Sequence, residues 1–146
     1  MPIMFEEVAG ILGIKGREDH PASPFEVIQR IENGLPIAIL NRISESVAPS
    51  DANFKYLIVS RPTLARRLKS HSRLLSSDES ERLARIAKVW TFAREVWGND
   101  QDARAFLFRP HPMLEGRAPM EVALKTDMGA RLVEDILGRL EYGSAA

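Results

Sequence analysis

Between Ser76 and Gly98 apolar residues recur at helical spacing: Leu83, Ile86, Ala87, Trp90, Ala93 and Trp97. Positions three and four apart share one face of a helix but fall on both faces of a strand, so this run admits only a helix. Its ends are marked. Ser76 and Glu79 form a capping box, and Gly98-Asn99 supplies the residue types that leave a helix in the left-handed conformation. The remaining segments follow the same grammar. Ser23-Pro24-Phe25-Glu26 opens a helix whose apolar face is Phe25, Ile28 and Ile31, stopped at Asn33-Gly34. A second runs from Pro36 to Ala48-Pro49 with Ile39, Leu40, Ile43 and Val47 inward. A third opens at Ser50 with Phe54, Leu57 and Ile58 inward. After a turn at Val59-Ser60, a helix from Arg61 to about Ser70 is anchored by Leu64 and Leu68.

Beyond Gly98 the spacing predicts three more helices. The first carries Ala103, Phe106 and Leu107 and is broken by Arg109-Pro110-His111-Pro112. The second starts at Pro119 with Met120, Val122 and Leu124. The last is capped by Thr126. In that last helix Leu132, Ile136 and Leu140 are expected in the core, with Val133, Leu137 and Tyr142 on an adjoining face that a small domain leaves partly uncovered. Residues 1–22 hold three glycines and no sustained period, which reads as a weakly ordered arm with one helical turn near Phe5. No segment alternates as a strand does and nothing repeats, so the fold class is all-α. The expected division is an arm over 1–22, a helix-turn-helix bundle over 23–75, a connecting helix over 76–98 and a small helical domain over 99–146.

Composition narrows the function. The chain has 146 residues, 45% of them hydrophobic, and no cysteine, which excludes disulfides and thiolate metal sites and fits a cytoplasmic protein. No apolar run reaches the ~20 residues of a membrane span. His20, His71 and His111 are scattered, with no His-Glu-x-x-His spacing and no phosphate loop, and the serines lack a matching histidine and acid. No enzyme, metal or cofactor is expected.

Charge points elsewhere. The 20 basic and 20 acidic residues cancel, yet from Ala52 to Ser77 there is no acid, while Lys55, Arg61, Arg66, Arg67, Lys69 and Arg73 are basic. Clustered cations displace counterions from phosphates, so duplex DNA is the expected partner of this stretch. A helix, a tight turn and a helix bearing Thr and Arg form the helix-turn-helix plan, in which the second helix enters the major groove. The candidate DNA-binding residues are Ser60, Arg61, Thr63, Arg66, Arg67 and Lys69.

The stretch from Ser60 to Gly143 resembles the Xre/MbcA/ParS antitoxin family. The likeness runs through Ser60-Arg-Pro-Thr63-Leu-Ala-Arg66-Arg67, Asp78-Glu-Ser80-Glu-Arg82-Leu-Ala-Arg85-Ile and Ala93-Arg-Glu95-Val96-Trp97-Gly98-Asn99. It continues through Gly116-Arg117-Ala118-Pro119-Met120-Glu121-Val122, Thr126-Asp-Met-Gly129-Ala130-Arg131 and Val133 to Gly143. The resemblance implies an Xre-like DNA-binding domain followed by a toxin-binding domain. It also implies a cognate RES-type toxin that degrades NAD, and repression of the shared operon. It makes Arg117, Val133, Glu134, Leu137, Arg139, Leu140, Glu141, Tyr142 and Gly143 the candidate toxin-binding set. A homodimer with two recognition helices about 34 Å apart would suit a palindromic operator. The other readings are a stand-alone repressor with no toxin and a structural helical adaptor whose basic helix binds protein or a membrane surface. Three departures bear on geometry. Ile58 stands where helix-turn-helix turns often have glycine, so a left-handed turn is not expected there. Glu115 replaces a glycine that the family often has, and Ala118 replaces a threonine.

Overall fold

The computed structural model describes residues 2–16 and 20–143. Among them are eight α-helices: α1 (Pro2–Ile11), α2 (Pro24–Asn33), α3 (Ile37–Val47), α4 (Arg61–Leu68), α5 (Ser77–Trp97), α6 (Asp100–Phe108), α7 (Pro119–Lys125) and α8 (Asp127–Glu141). Two short 3-10 turns, Phe54–Leu57 and Pro112–Leu114, and two isolated β-bridges complete the described structure. The fold is all-α, and the chain divides into compact units 1–87 and 88–146, with the boundary inside α5.

In the first unit, helix α1 occupies residues 2–11 of the segment expected as an arm, with Ala9 buried within it and Leu12 and Ile14 buried after it; residues 1 and 17–19 of that segment lie outside the described residues. In α2 the Ser23 hydroxyl accepts from the Glu26 N–H at 3.2 Å, as the cap chemistry predicts. The inward side differs from expectation. Val27 is buried, whereas Phe25 is 64% and Ile28 49% exposed. Helix α3 buries Ile39, Leu40, Ile43 and Val47 as anticipated. The helix expected from Ser50 contracts to the 3-10 turn Phe54–Leu57. There the Asp51 carboxylate accepts from the Asn53 N–H at 2.9 Å, a local bond that competes with helical pairing. Phe54 and Ile58 are buried and Leu57 is exposed.

The segment after α4 returns to the α2–α3 junction. Leu75 N–H donates to the Leu35 carbonyl at 2.8 Å and Ile37 N–H to the Arg73 carbonyl at 3.1 Å. Gly34, at φ 102°, makes this approach possible, because a Cβ there would collide with the Leu75 carbonyl oxygen. The Ser76–Glu79 capping box forms in both directions, at 2.8 and 3.1 Å. One turn on, the fully buried Ser80 hydroxyl accepts from Leu35 N–H at 2.7 Å.

In the second unit, α5 buries Val89, Trp90, Phe92 and Ala93, while Trp97, expected inward, is exposed. Asn99 caps α6 and Thr126 caps α8, each side-chain oxygen accepting from the N–H three residues on at 2.8 Å. Helix α7 packs on both α6 and α8. Gly129 lies against the Val122 carbonyl, closer than a Cβ would permit, so the first turn of α8 is pressed onto α7. That contact sets the phase of α8. Ala130, Val133, Ile136 and Leu137 are buried, and Leu132 and Leu140 are exposed. The expected assignment of the two faces is therefore corrected: Val133 and Leu137 are core, and Leu132 and Leu140 are surface.

Glu115 ends the Pro112–Leu114 turn at φ 54°, a left-handed conformation that costs an L-residue about 1 kcal/mol. Two outcomes are expected in urea denaturation. Ser80→Ala strands the Leu35 N–H and lowers stability by about 1–3 kcal/mol. Glu115→Gly relieves the left-handed strain and raises stability by up to about 1 kcal/mol.

Candidate functional site

Helix α4 opens from Ser60, whose extended backbone (φ −60°, ψ 154°) delivers the chain into the first turn, with Pro62 near its start. The Ser60 hydroxyl donates to Thr63 Oγ1 at 2.9 Å. Before it, Ile58 sits in the right-handed region at φ −94°, ψ −46°, so the turn contains no left-handed residue. The Ile58 carbonyl accepts from the Arg82 guanidinium of α5, which fixes the turn. Leu64 is the buried anchor, and Leu68, expected to share that role, is exposed.

The cations of α4 fall into two kinds. Arg67 is half-buried and meets Glu79 fork to fork, Nε–Oε1 at 3.2 Å and Nη2–Oε2 at 3.3 Å. Its charge is compensated within the fold. Burial pushes the Glu79 carboxyl up, but the Arg67 bonds and the Ser76 N–H outweigh it and hold the group below its ordinary value. Arg61, Arg66 and Lys69 are exposed, and none forms an ion pair with a carboxylate among the described residues. Arg61 is nonetheless held. Its Nη2 donates to Asn53 Oδ1 at 2.6 Å and its guanidinium lies 4.0 Å from the Tyr56 ring centroid. Ser60, Arg61, Arg66 and Lys69 are thus exposed and Thr63 half-buried, while Arg67 turns toward α5. Asn53 and Tyr56 were not among the expected site residues. The sequence shows them only as polar and aromatic neighbours of a turn.

In the second unit the expected partner-binding residues separate. Val133 and Leu137 are fully buried. Glu134 pairs with Lys88 at 3.2 Å, and Arg117 with Glu121 at 3.2 Å. Arg117, Arg139, Leu140 and Tyr142 are exposed, and Glu141 and Gly143 are half-buried. Met128, at 81%, and Leu132 add apolar surface on α8. A groove of about 350 Å³ lies between α6 and the end of α8, lined by Trp97, Asp102, Phe106, Arg109, His111 and Leu140. Its floor is aromatic, with Trp97 and Phe106 rings 5.9 Å apart and His111 edge-on to Phe106 at 5.7 Å. The prolines at 110 and 112, which end α6 just after its aromatics, are the sequence signal for this opening. Among the described residues no cluster of three or more His, Asp or Glu side chains could hold a metal, and no helix is long and apolar enough to cross a membrane.

Comparison with known proteins divides the chain in the same order. Residues 26–88 match the antitoxin Xre-like helix-turn-helix domain, and residues 92–143 match the antitoxin Xre/MbcA/ParS C-terminal toxin-binding domain. The chain is 31% identical over 122 residues to the antitoxin Xre of Pseudomonas putida, covering 84% of this chain and 75% of that protein. It is 37% identical over 78 residues to the antitoxin Xre of Yersinia enterocolitica, covering 53% and 52%. It is 29% identical over 115 residues to that of Photorhabdus laumondii, covering 77% and 76%.

The Glu79 environment has a pH signature. A carboxyl whose folded pKa is depressed contributes stability that is present above its unfolded pKa, and lost as pH falls through the folded value. Glu79→Gln is expected to cost about 1 kcal/mol in thermal or urea denaturation at pH 7. The gap to wild type should close as the pH is lowered below about 4. A gap that persists unchanged in acid would contradict the charge-based account.

Proposed function

The chain belongs to the antitoxin Xre family, and on that premise we propose that it silences a RES-domain, NAD-degrading toxin and, as a homodimer, represses its own operon. The observation that carries the DNA-binding half is the exposed edge of α4. Arg61, Arg66 and Lys69 stand there without an internal carboxylate, on the helix that the helix-turn-helix plan sends into the major groove. Thr63 and Ser60 add hydroxyls that can reach a phosphate or a base edge. Arg67 is assigned a different part. Its bonds to Glu79 hold α4 to α5, so its contribution to affinity acts mainly through the pose of the helix.

Toxin binding is assigned to the second unit. Its exposed set is Met128, Leu132, Arg139, Leu140 and Tyr142, with Arg117 and Glu141 at the margins. Val133 and Leu137 keep a supporting role as the core that holds α8 on α7, and Glu134 ties the same helix to Lys88. Inhibition would come from covering the toxin's NAD pocket with the end of α8 and the residues that follow. Blocked access needs no chemistry and no cofactor on this chain. A cytoplasmic location follows from the proposed toxin and operator.

Two measurements test the halves separately. Arg66→Ala with Lys69→Ala should flatten the dependence of log K on log salt by about 2 per bound protomer for duplex DNA from the chain's own upstream region, while Arg67→Ala mainly lowers stability. Unchanged affinity and slope in the double variant would refute the DNA assignment. Co-expression with a RES-type toxin encoded beside the antitoxin should restore growth and cellular NAD, and deletion of residues 141–146 should abolish that rescue. Full neutralisation by the truncated chain would remove the tail from the inhibitory surface.

A further inference from the structure

Arg61 is held differently from every other cation on α4. Arg67 is bound by a carboxylate, which fixes its position and also cancels its charge. Arg61 is bound by a neutral amide oxygen and an aromatic face, which fix its position and leave the charge intact. A guanidinium has five N–H donors, and Asn53 uses one of them, so an N–H fork remains for an external acceptor pair. The holders are themselves held. Asn53 N–H donates to Asp51 Oδ1 at 2.9 Å, and Tyr56 sits within the 3-10 turn Phe54–Leu57, whose Phe54 is buried. The whole assembly stands at the first residue of α4, the end from which a recognition helix contacts base edges.

We propose that Arg61 is the residue through which this protein reads a guanine, and that Asn53 and Tyr56 are positioning residues that preset its guanidinium for a bidentate contact. The inference rests on the operator-binding reading given above. Arg66 and Lys69, exposed and without such holders, serve as general phosphate contacts. An arginine already ordered in the free protein loses less rotamer freedom on binding, so its fork discriminates bases instead of merely adding charge.

The test uses the full chain and a random-sequence duplex pool. Wild type should enrich a duplex containing guanine, and replacing that guanine with 7-deazaguanine, which lacks the N7 acceptor, should weaken wild-type binding about tenfold. Arg61→Lys keeps the charge but lacks the fork. It should lose about tenfold in the ratio of selected to scrambled affinity, keep the salt slope, and become indifferent to 7-deazaguanine. Asn53→Ala and Tyr56→Leu should each lower that ratio severalfold while leaving scrambled-duplex affinity and the melting temperature unchanged. Tyr56→Phe, which keeps the ring face, should behave as wild type. If Arg61→Lys stays as selective as wild type, or if Asn53→Ala and Tyr56→Leu both keep the full ratio, the inference is overturned while DNA binding stands. If wild type enriches no sequence at all, the operator-binding reading fails and this inference fails with it.

Discussion

The geometry of the recognition edge depends on the first two turns of α5. Glu79 takes Arg67, Ser80 takes the Leu35 N–H, and Arg82 takes the Ile58 carbonyl. Helix α4 has eight residues, too few to be stable alone in water, and it buries only Leu64. Its position must come from outside itself. A carboxylate, a hydroxyl and a guanidinium supply it, reaching respectively the body of α4, the α2–α3 junction and the turn ahead of α4. Each bond is at least partly shielded from water, where loss of one partner leaves the other unsatisfied at a cost of about 1–3 kcal/mol. Directional bonds of this kind fix an orientation more sharply than a single leucine contact can.

The same carboxylate explains how a chain of zero net charge handles a basic cluster. Glu79 lies just outside the acid-free stretch and returns to neutralise Arg67 from twelve residues away. What remains is a small local field from the exposed Arg61, Arg66, Lys69 and Arg73 and the half-buried Lys55. With no net charge behind it, that field fades over roughly the Debye length of 8 Å at physiological salt. Long-range attraction to nucleic acid is therefore weak, and selectivity has to arise from contacts made after encounter. A division of labour among the cations fits this limit: Arg67 is spent on structure, Arg61 is oriented, and Arg66 and Lys69 have no such holder.

Local chemistry was legible in the sequence; partnership between distant segments was not. Ser23, Ser76 and Thr126 cap helices where their spacing says they should, because a cap needs only the three residues that follow it. The all-α class, the long helix ending at Gly98 and the right-handed Ile58 follow equally from short-range rules. The errors concern which side of an amphipathic helix has a neighbour. Periodicity shows that α2 has an apolar stripe, but not that Val27 would be covered and Phe25 left in solvent. In α8 two stripes compete at nearly equal hydrophobicity. The discriminating signal was present in Gly129 and Ala130, small residues that mark the side where another backbone comes close, and Val133 and Leu137 share that side. Within the expected arm, residues 2–14 were misread for a related reason. Helix α1 is apolar but weakly periodic, and its order shows only in the burial of Ala9, Leu12 and Ile14.

The corrected phase of α8 changes what its surface must be. With Val133 and Leu137 committed to the core, the residues left outside are Met128, Leu132, Leu140 and Tyr142, interleaved with Arg131, Asp135 and Arg139. A side chain as large as methionine left mostly in water gains nothing from folding, and a run of such residues along one helix is uncommon on a protein that acts alone. The interleaved charges keep this surface soluble while no partner is present. On the proposed toxin-binding role they would also make burial of this surface selective, since each charge brought out of water must meet a complement. Close packing through Gly129 fixes the rotation of α8 about its own axis, so the same residue that sets the core also sets which side chains α8 leaves exposed.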